Sequence, residues 1–312
     1  MYIMSSEEVD IFVDSPSEQI TETTELCENK DLSHSTMLDL LRITLLIYNY
    51  GKTFTIDKDV CIEEFVSNLQ DTGKLEQMKL NDTRKKVLLE MADKVPTGKI
   101  INFITDPDTD IQVGIAVSEG KKRITVVFRG SESISDWYYD LLIMKHKLHD
   151  KVCVHSGFYR QLTTNNVHEE LIKNIKDILK ENPDYNIYVT GHSLGGALST
   201  LFGYILSREI ENNIVVVSYA SPRVGNYSWK QSFESKENLK HYRITNKRDI
   251  VTAFPMYKYH HVGKHIQLSN NKFLTFENCD NKKWYEESIL TCWSPSEHNC
   301  ELYYKRMNNN IW

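Results

Sequence analysis

Tyr188-Val189-Thr190-Gly191-His192-Ser193-Leu194-Gly195-Gly196-Ala197-Leu198 governs how the rest of the chain is read. A short β-type run passes through Gly-x-Ser-x-Gly into a helix-forming stretch, the order that a nucleophile elbow requires. In so tight a turn Ser193 takes a strained backbone conformation, and its Oγ is thrust clear of the sheet at the head of the next helix. Gly191 and Gly195 are needed because a Cβ at either position collides across the turn. Residues 197–206 are apolar on nearly every side, which predicts a buried helix. The pentapeptide alone also occurs as a plain glycine-rich turn. The strand before it and the helix after it make Ser193 a candidate nucleophile.

The chain has 312 residues, enough for one large α/β domain with a substantial core. Its formal charge of −6 argues against nucleic acid and against strong attraction to anionic membranes. Residues 1–35 are rich in Glu, Asp, Ser and Thr, and read as a mobile acidic leader ahead of a single domain at 36–312. Met1-Tyr2-Ile3-Met4 runs at once into Ser5, Ser6, Glu7 and Glu8, without the basic and apolar regions of a secretory signal. That pattern predicts a cytoplasmic protein. The most apolar run, 38–48, is too short and interrupted to span a bilayer, so it reads as a core helix and any lipid contact as peripheral.

The six cysteines, Cys27, Cys61, Cys153, Cys279, Cys292 and Cys300, show no C-x-x-C spacing, which argues against a zinc or dithiol site. Cys279, Cys292 and Cys300 lie close enough in sequence to pair in an exported protein. Without a signal, free buried thiols are the expectation.

Helical spacing recurs at 38–50, 60–69 and 167–179, and β-branched runs fall at 124–128 and 213–219. Helices alternating with short apolar strands predict an α/β fold with a mainly parallel central sheet covered on both faces. Residues 257–263, which carry the His260-His261 pair, read as a further strand with its side chains committed to packing.

A serine of this kind needs an acid and a base later in the chain, in that order. Asp249, just past the predicted strand 242–245, is the better acid, and Asp280 the weaker one. Five histidines follow Ser193: His241, His260, His261, His265 and His298. Spacing favours His298, in a polar loop before a final helix-like segment, over His261, and leaves both open. The oxyanion hole needs two backbone N–H groups. Leu194, at the head of a helix, supplies one. The loop after 124–128 supplies the other, with Gly130 permitting close approach and Ser131 donating.

These residues fall in blocks that resemble the class 3 lipases, the family of fungal triacylglycerol lipases and plant lipase-like acylhydrolases. The blocks are Phe128-Arg129-Gly130-Ser131 with Ser135-Asp136-Trp137; Val154-His155-Ser156-Gly157-Phe158; Gly191 to Gly196; Ala220-Ser221-Pro222-Arg223-Val224-Gly225-Asn226; and Tyr242 to Asn246, leading to Asp249. The resemblance covers about residues 85–305 and implies an α/β-hydrolase fold. It also implies Ser193 as nucleophile, Asp249 as acid, His298 as base, and Ser131 and Leu194 as oxyanion donors. His155 and His261 then fall in structural blocks. Three positions depart from the family pattern: Glu297 stands where Asp is frequent, Ala220 where Gly is common, and Thr252 where Pro is expected.

The implied reaction is acyl transfer from a lipid ester to water, with no metal or cofactor. Acylglycerols are the first expected substrates, with a phospholipase A1-type or galactolipid acylhydrolase as the alternative, acting at a membrane or droplet surface. The segment after Ser131 corresponds to the family's lid. Ile134, Trp137 and Tyr138 are candidates for a lid or acyl-groove wall, Trp137 being equally readable as a core anchor. A reading of another class is a catalytically silent protein that binds lipid or a partner. Retention of Ser, Asp and His together argues against it.

Overall fold

The computed structural model describes residues 32–94, 98–131, 144–270, 273–276 and 294–310. Among these, an eight-stranded sheet is built from β1 (Lys99–Asp106), β2 (Ile111–Ser118), β3 (Arg123–Phe128), β6 (Asn186–His192), β7 (Ile214–Tyr219), β8 (Leu239–Asn246), β9 (Lys264–Leu268) and β10 (Phe273–Phe276), neighbours in that order. β4 (Lys145–His149) and β5 (Val152–His155) form a separate antiparallel pair. From β3 to β9 the sheet is parallel, and β1, β2 and β10 add antiparallel strands at its two edges.

The strands alternate their side chains between two cores. Val126, Phe128 and Val216 face one core, with the helices Ser156–Thr163, Val167–Glu181 and Leu194–Leu206. Val127, Val217 and Tyr219 face the other, with the helices His34–Ile47, Ile62–Asp71, Asp82–Lys94 and Cys300–Asn309. A parallel sheet must be covered on both faces, because each face is apolar. The helix Leu194–Leu206 is buried along almost its whole length, as its all-round apolar sequence predicts. Asp39 and Arg42 are buried in the first helix among apolar neighbours. They are matched there by each other, by Lys121 and by Glu90, since an unpaired buried charge is costly.

The first helix begins at His34, inside the stretch assigned to the leader, with the Ser33 side chain capping its N-terminus. The leader itself, at residues 1–31, lies outside the described residues. Residues 257–263 are not a strand. Lys258 has φ 56° and Gly263 φ 75°, and these left-handed residues turn the chain at both ends of the segment. Only His260 makes a bridge there, to Gly225, and β9 begins at Lys264. Cys61, Cys153 and Cys300 are free thiols, Cys300 buried; Cys27, Cys279 and Cys292 lie outside the described residues. No described helix is long and apolar enough to cross a membrane.

Candidate active site

β6 delivers Ser193 and the helix Leu194–Leu206 carries the chain away, so the nucleophile candidate sits on a one-residue turn. Ser193 has φ 59° and ψ −125°, a conformation that L-residues adopt only under constraint from their surroundings. The constraint is the close approach of β3. A Cβ on Gly195 would lie 2.3 Å from the Phe128 carbonyl oxygen, and one on Gly191 would lie 2.4 Å from the Gly195 carbonyl. Only glycine lets the elbow close on its neighbours.

The other two members arrive on loops from the same end of the sheet. Asp249 follows β8, and His298 ends a single 3₁₀ turn, Pro295–His298, just before the helix Cys300–Asn309. The structure brings them together with the serine. His298 Nε2 is 2.8 Å from Ser193 Oγ, and His298 Nδ1 is 3.0 Å from both oxygens of Asp249. All three are buried. A carboxylate accepts only, so Nδ1 carries the ring hydrogen and Nε2 is left to accept from the serine hydroxyl. That is the tautomer a general base requires.

Asp249 also accepts from the Val251 amide at 3.0 Å and from the Tyr303 hydroxyl at 2.6 Å. Burial, and then the adjacent Asp249 charge, push the Tyr303 hydroxyl well above its usual pKa, so it stays a donor. The His298 turn is held independently. The Asn246 amide donates to the Glu297 carbonyl at 2.8 Å, and the Glu297 carboxylate pairs with Arg306. Glu297, one of the departures from the family pattern, is therefore a strut to the last helix. Ala220, another departure, has φ 54°, which explains why glycine is common there. Thr252, the third, donates to the Asp249 carbonyl at 2.8 Å.

Ser131 lies just beyond β3 and is half-buried. β3 pairs with β6 so that Phe128 sits opposite Gly191, and a Cβ on Gly130 would lie 2.5 Å from the His192 carbonyl oxygen. The β3 loop that carries Ser131 is thus packed against the elbow that carries Leu194. Leu194 opens its helix, where first-turn amides have no intrahelical acceptor.

The remaining histidines make structural contacts. His155 caps the helix Ser156–Thr163 through Nδ1. His261 Nε2 bonds the Thr252 carbonyl at 2.8 Å, and His241 spans Ser218 Oγ and the Val262 carbonyl. His265 bonds Thr245 Oγ1 at 2.7 Å, and His260 bridges to Gly225. Asp280, Ile134, Trp137 and Tyr138 lie outside the described residues. Sequence reasoning missed Tyr303, Asn246, His192 and Tyr48. His192 and Asn246 stood inside quoted motifs, but nothing in the chain order marks Tyr303 or Tyr48.

A Ser–His–Asp constellation at the ends of a mainly parallel sheet defines an α/β-hydrolase. The family model described as "Lipase (class 3)" matches residues 125–259. A lipase of Rhizomucor miehei is 30% identical over 189 residues, covering 58% of this chain and 51% of that protein. The secreted mono- and diacylglycerol lipase A of Penicillium cyclopium is 30% identical over 185 residues, covering 58% and 59%. Phospholipase A1-II 1 of Oryza sativa subsp. indica is 28% identical over 188 residues, covering 51% and 48%. Among solved structures, a triacylglycerol lipase whose catalytic centre is a serine protease triad superposes with a TM-score of 0.61 at 28% identity, covering 66% of this chain and 81% of that one. Rhizomucor miehei triacylglyceride lipase shares the fold at a TM-score of 0.66 and 21% identity, covering 88% and 96%. The chain is similar to the class 3 lipases over residues 125–259, less than half of its length. It spans about half the length of the curated relatives it matches, 51% and 59% for the first two.

Proposed function

We propose that the protein is a serine-dependent lipase or carboxylesterase that hydrolyses acyl-ester bonds of lipids, acylglycerols first among them. The observation that carries this reading is the connected hydrogen bonding from Ser193 Oγ through His298 to Asp249. His298 Nε2 takes the Ser193 proton as Oγ attacks the ester carbonyl carbon, and Asp249 supports the imidazolium that forms. The Ser131 and Leu194 amides receive the oxyanion, a contribution of about 3 kcal/mol for each donor. His298 then protonates the departing alcohol. Water, activated by the same imidazole, releases the fatty acid from the Ser193 ester.

Rice relatives named phospholipase A1 support a second reading, cleavage of phospholipid acyl esters by the same chemistry. Lipid ester substrates support a further reading, that the protein works at a membrane or droplet surface. The free thiols Cys61, Cys153 and Cys300 support a reducing compartment, the cytoplasm.

The test is hydrolysis of p-nitrophenyl esters by wild type and by Ser193→Ala. Turnover by the first alone is expected. No turnover across a range of acyl chain lengths would leave a lipid-binding protein in place of an enzyme. A panel of triacylglycerol, diacylglycerol and phospholipid then separates the two ester readings.

A further inference from the structure

Directly behind the triad lies a buried tyrosine–histidine pair that takes no part in acyl transfer. His192, between Gly191 and Ser193, holds its Nε2 2.9 Å from the His298 carbonyl oxygen and its Nδ1 2.9 Å from the Tyr48 hydroxyl. A carbonyl only accepts, so His192 Nε2 carries the hydrogen. Nδ1 is then bare, and the Tyr48 O–H donates to it. The Gly130 backbone packs against the Tyr48 oxygen in turn. The result is one connected path: the Gly130 backbone against the Tyr48 oxygen, Tyr48 O–H to His192 Nδ1, and His192 Nε2–H to the His298 carbonyl. One end is the residue before Ser131, and the other is the backbone of the base.

We propose that Tyr48 and His192 are positioning residues of the hydrolytic site, a hydrogen-bonded strut that sets the oxyanion loop and the His298 backbone relative to each other across the elbow. The inference rests on the hydrolytic reading above and deepens it.

Three further observations support it. First, the strut leaves no slack: a Cβ on Gly130 would lie 2.2 Å from Tyr48 Oη. Second, the strut stays in one protonation state. Burial, and then the neighbouring His298, hold His192 well below its usual pKa, while burial raises that of Tyr48. The neutral imidazole with one donor and one acceptor is the form the chain needs. Third, the tyrosine is itself anchored. The Arg84 guanidinium lies 5.8 Å over its ring and bonds Glu301 at 3.1 Å, at the start of the helix that follows His298.

Asn246 holds the Glu297 carbonyl from the other side, so His298 is fixed between two side-chain donors. Removing the Tyr48 hydroxyl frees His192 to take its other tautomer, whose bare Nε2 would face a carbonyl. Small displacements of a general base cost large factors in rate, up to about 100-fold for about 1 Å.

The experiment compares Tyr48→Phe, His192→Leu and His192→Gln with wild type on a soluble p-nitrophenyl ester. It also records the low-field proton resonance of the His298–Asp249 hydrogen bond. Tyr48→Phe and His192→Leu are expected to lower kcat about 10- to 100-fold with KM little changed, and to broaden or abolish the resonance. His192→Gln keeps an N–H toward the His298 carbonyl and should restore most of both. The double variant Tyr48→Phe/His192→Leu should be no worse than the poorer single variant, because both break one chain. Wild-type kcat in Tyr48→Phe, a sharp resonance in both disruptive variants, or equal losses in His192→Gln and His192→Leu would each overturn the inference. A wild type that turns over no ester defeats the hydrolytic reading instead, and the resonance still decides this one.

Discussion

The Tyr303 hydroxyl donates to Asp249 Oδ2 at 2.6 Å while accepting from the Asn246 backbone N–H at 2.8 Å, so one oxygen ties the acid to the end of the strand that precedes it. Hydrogen bonds to a buried charge contribute about 1.5–3 kcal/mol. Tyr303→Phe should therefore lower the free energy of unfolding by that amount in urea titration. It should also cut ester turnover about 10-fold, since Asp249 keeps the Val251 amide and His298 but loses its hold from the last helix. Unchanged stability and rate would show that Asp249 is set without it.

Strain at Ser193 can be isolated by comparing two inactive variants. Ser193→Ala and Ser193→Gly both lack Oγ, and differ in that alanine must keep φ 59° while glycine adopts it freely. The glycine variant should be the more stable by about 1 kcal/mol, read as a higher melting temperature. The reverse order would mean that the elbow relaxes once the hydroxyl is gone.

Gly195→Ala places a methyl 2.3 Å from one backbone oxygen and 3.0 Å from the Arg129 carbonyl carbon. Both are backbone atoms of the segment that ends β3, and they cannot step aside as a side-chain end could. A loss of about 3 kcal/mol or more is expected, with activity lost even where the protein still folds. Circular dichroism melting together with ester turnover checks both parts.

Acid should unfold the protein early. His192, His241 and His261 are buried and His265 half-buried, and desolvation holds each below its usual pKa, His241 down to about 3. The unfolded chain binds protons at these positions near pH 6.5 and the folded one does not. Their contribution is therefore full above about pH 6.5 and declines as the pH falls, for His241 until about pH 3. His241 alone then costs about 2 kcal/mol at pH 5. The melting temperature should drop steeply between pH 7 and 5, and a flat profile there would contradict the neutral state of these rings.

Some of this was legible along the chain because it is local. A strand, a tight turn and a helix are adjacent in sequence at Ser193, and the glycines that permit the turn stand in the same pentapeptide. Asp249 could be ranked from its place after a strand, and His298 was separated from His261 by resemblance rather than by spacing. Residues 257–263 misled, because Tyr257, Tyr259 and Val262 have strand composition, while the left-handed Lys258 and Gly263 turn the chain out of a strand. Tyr48 and Tyr303 were invisible for a related reason. Each earns its place through partners far away, 144 residues for Tyr48 and 54 for Tyr303, and no periodicity records such a distance.

The last helix, Cys300–Asn309, packs against the first, and His34 Nε2 bonds the Met307 carbonyl at 2.9 Å. His298 sits immediately before that helix, so the order of synthesis imposes a delay. A chain still emerging from the ribosome can form its elbow and expose Ser193, yet its base has not been made. When the helix Cys300–Asn309 is made it must find the helix His34–Ile47, made much earlier, and that docking seats the imidazole. The Ser193–His298–Asp249 arrangement thus depends on the docking of two helices that stand far apart along the chain.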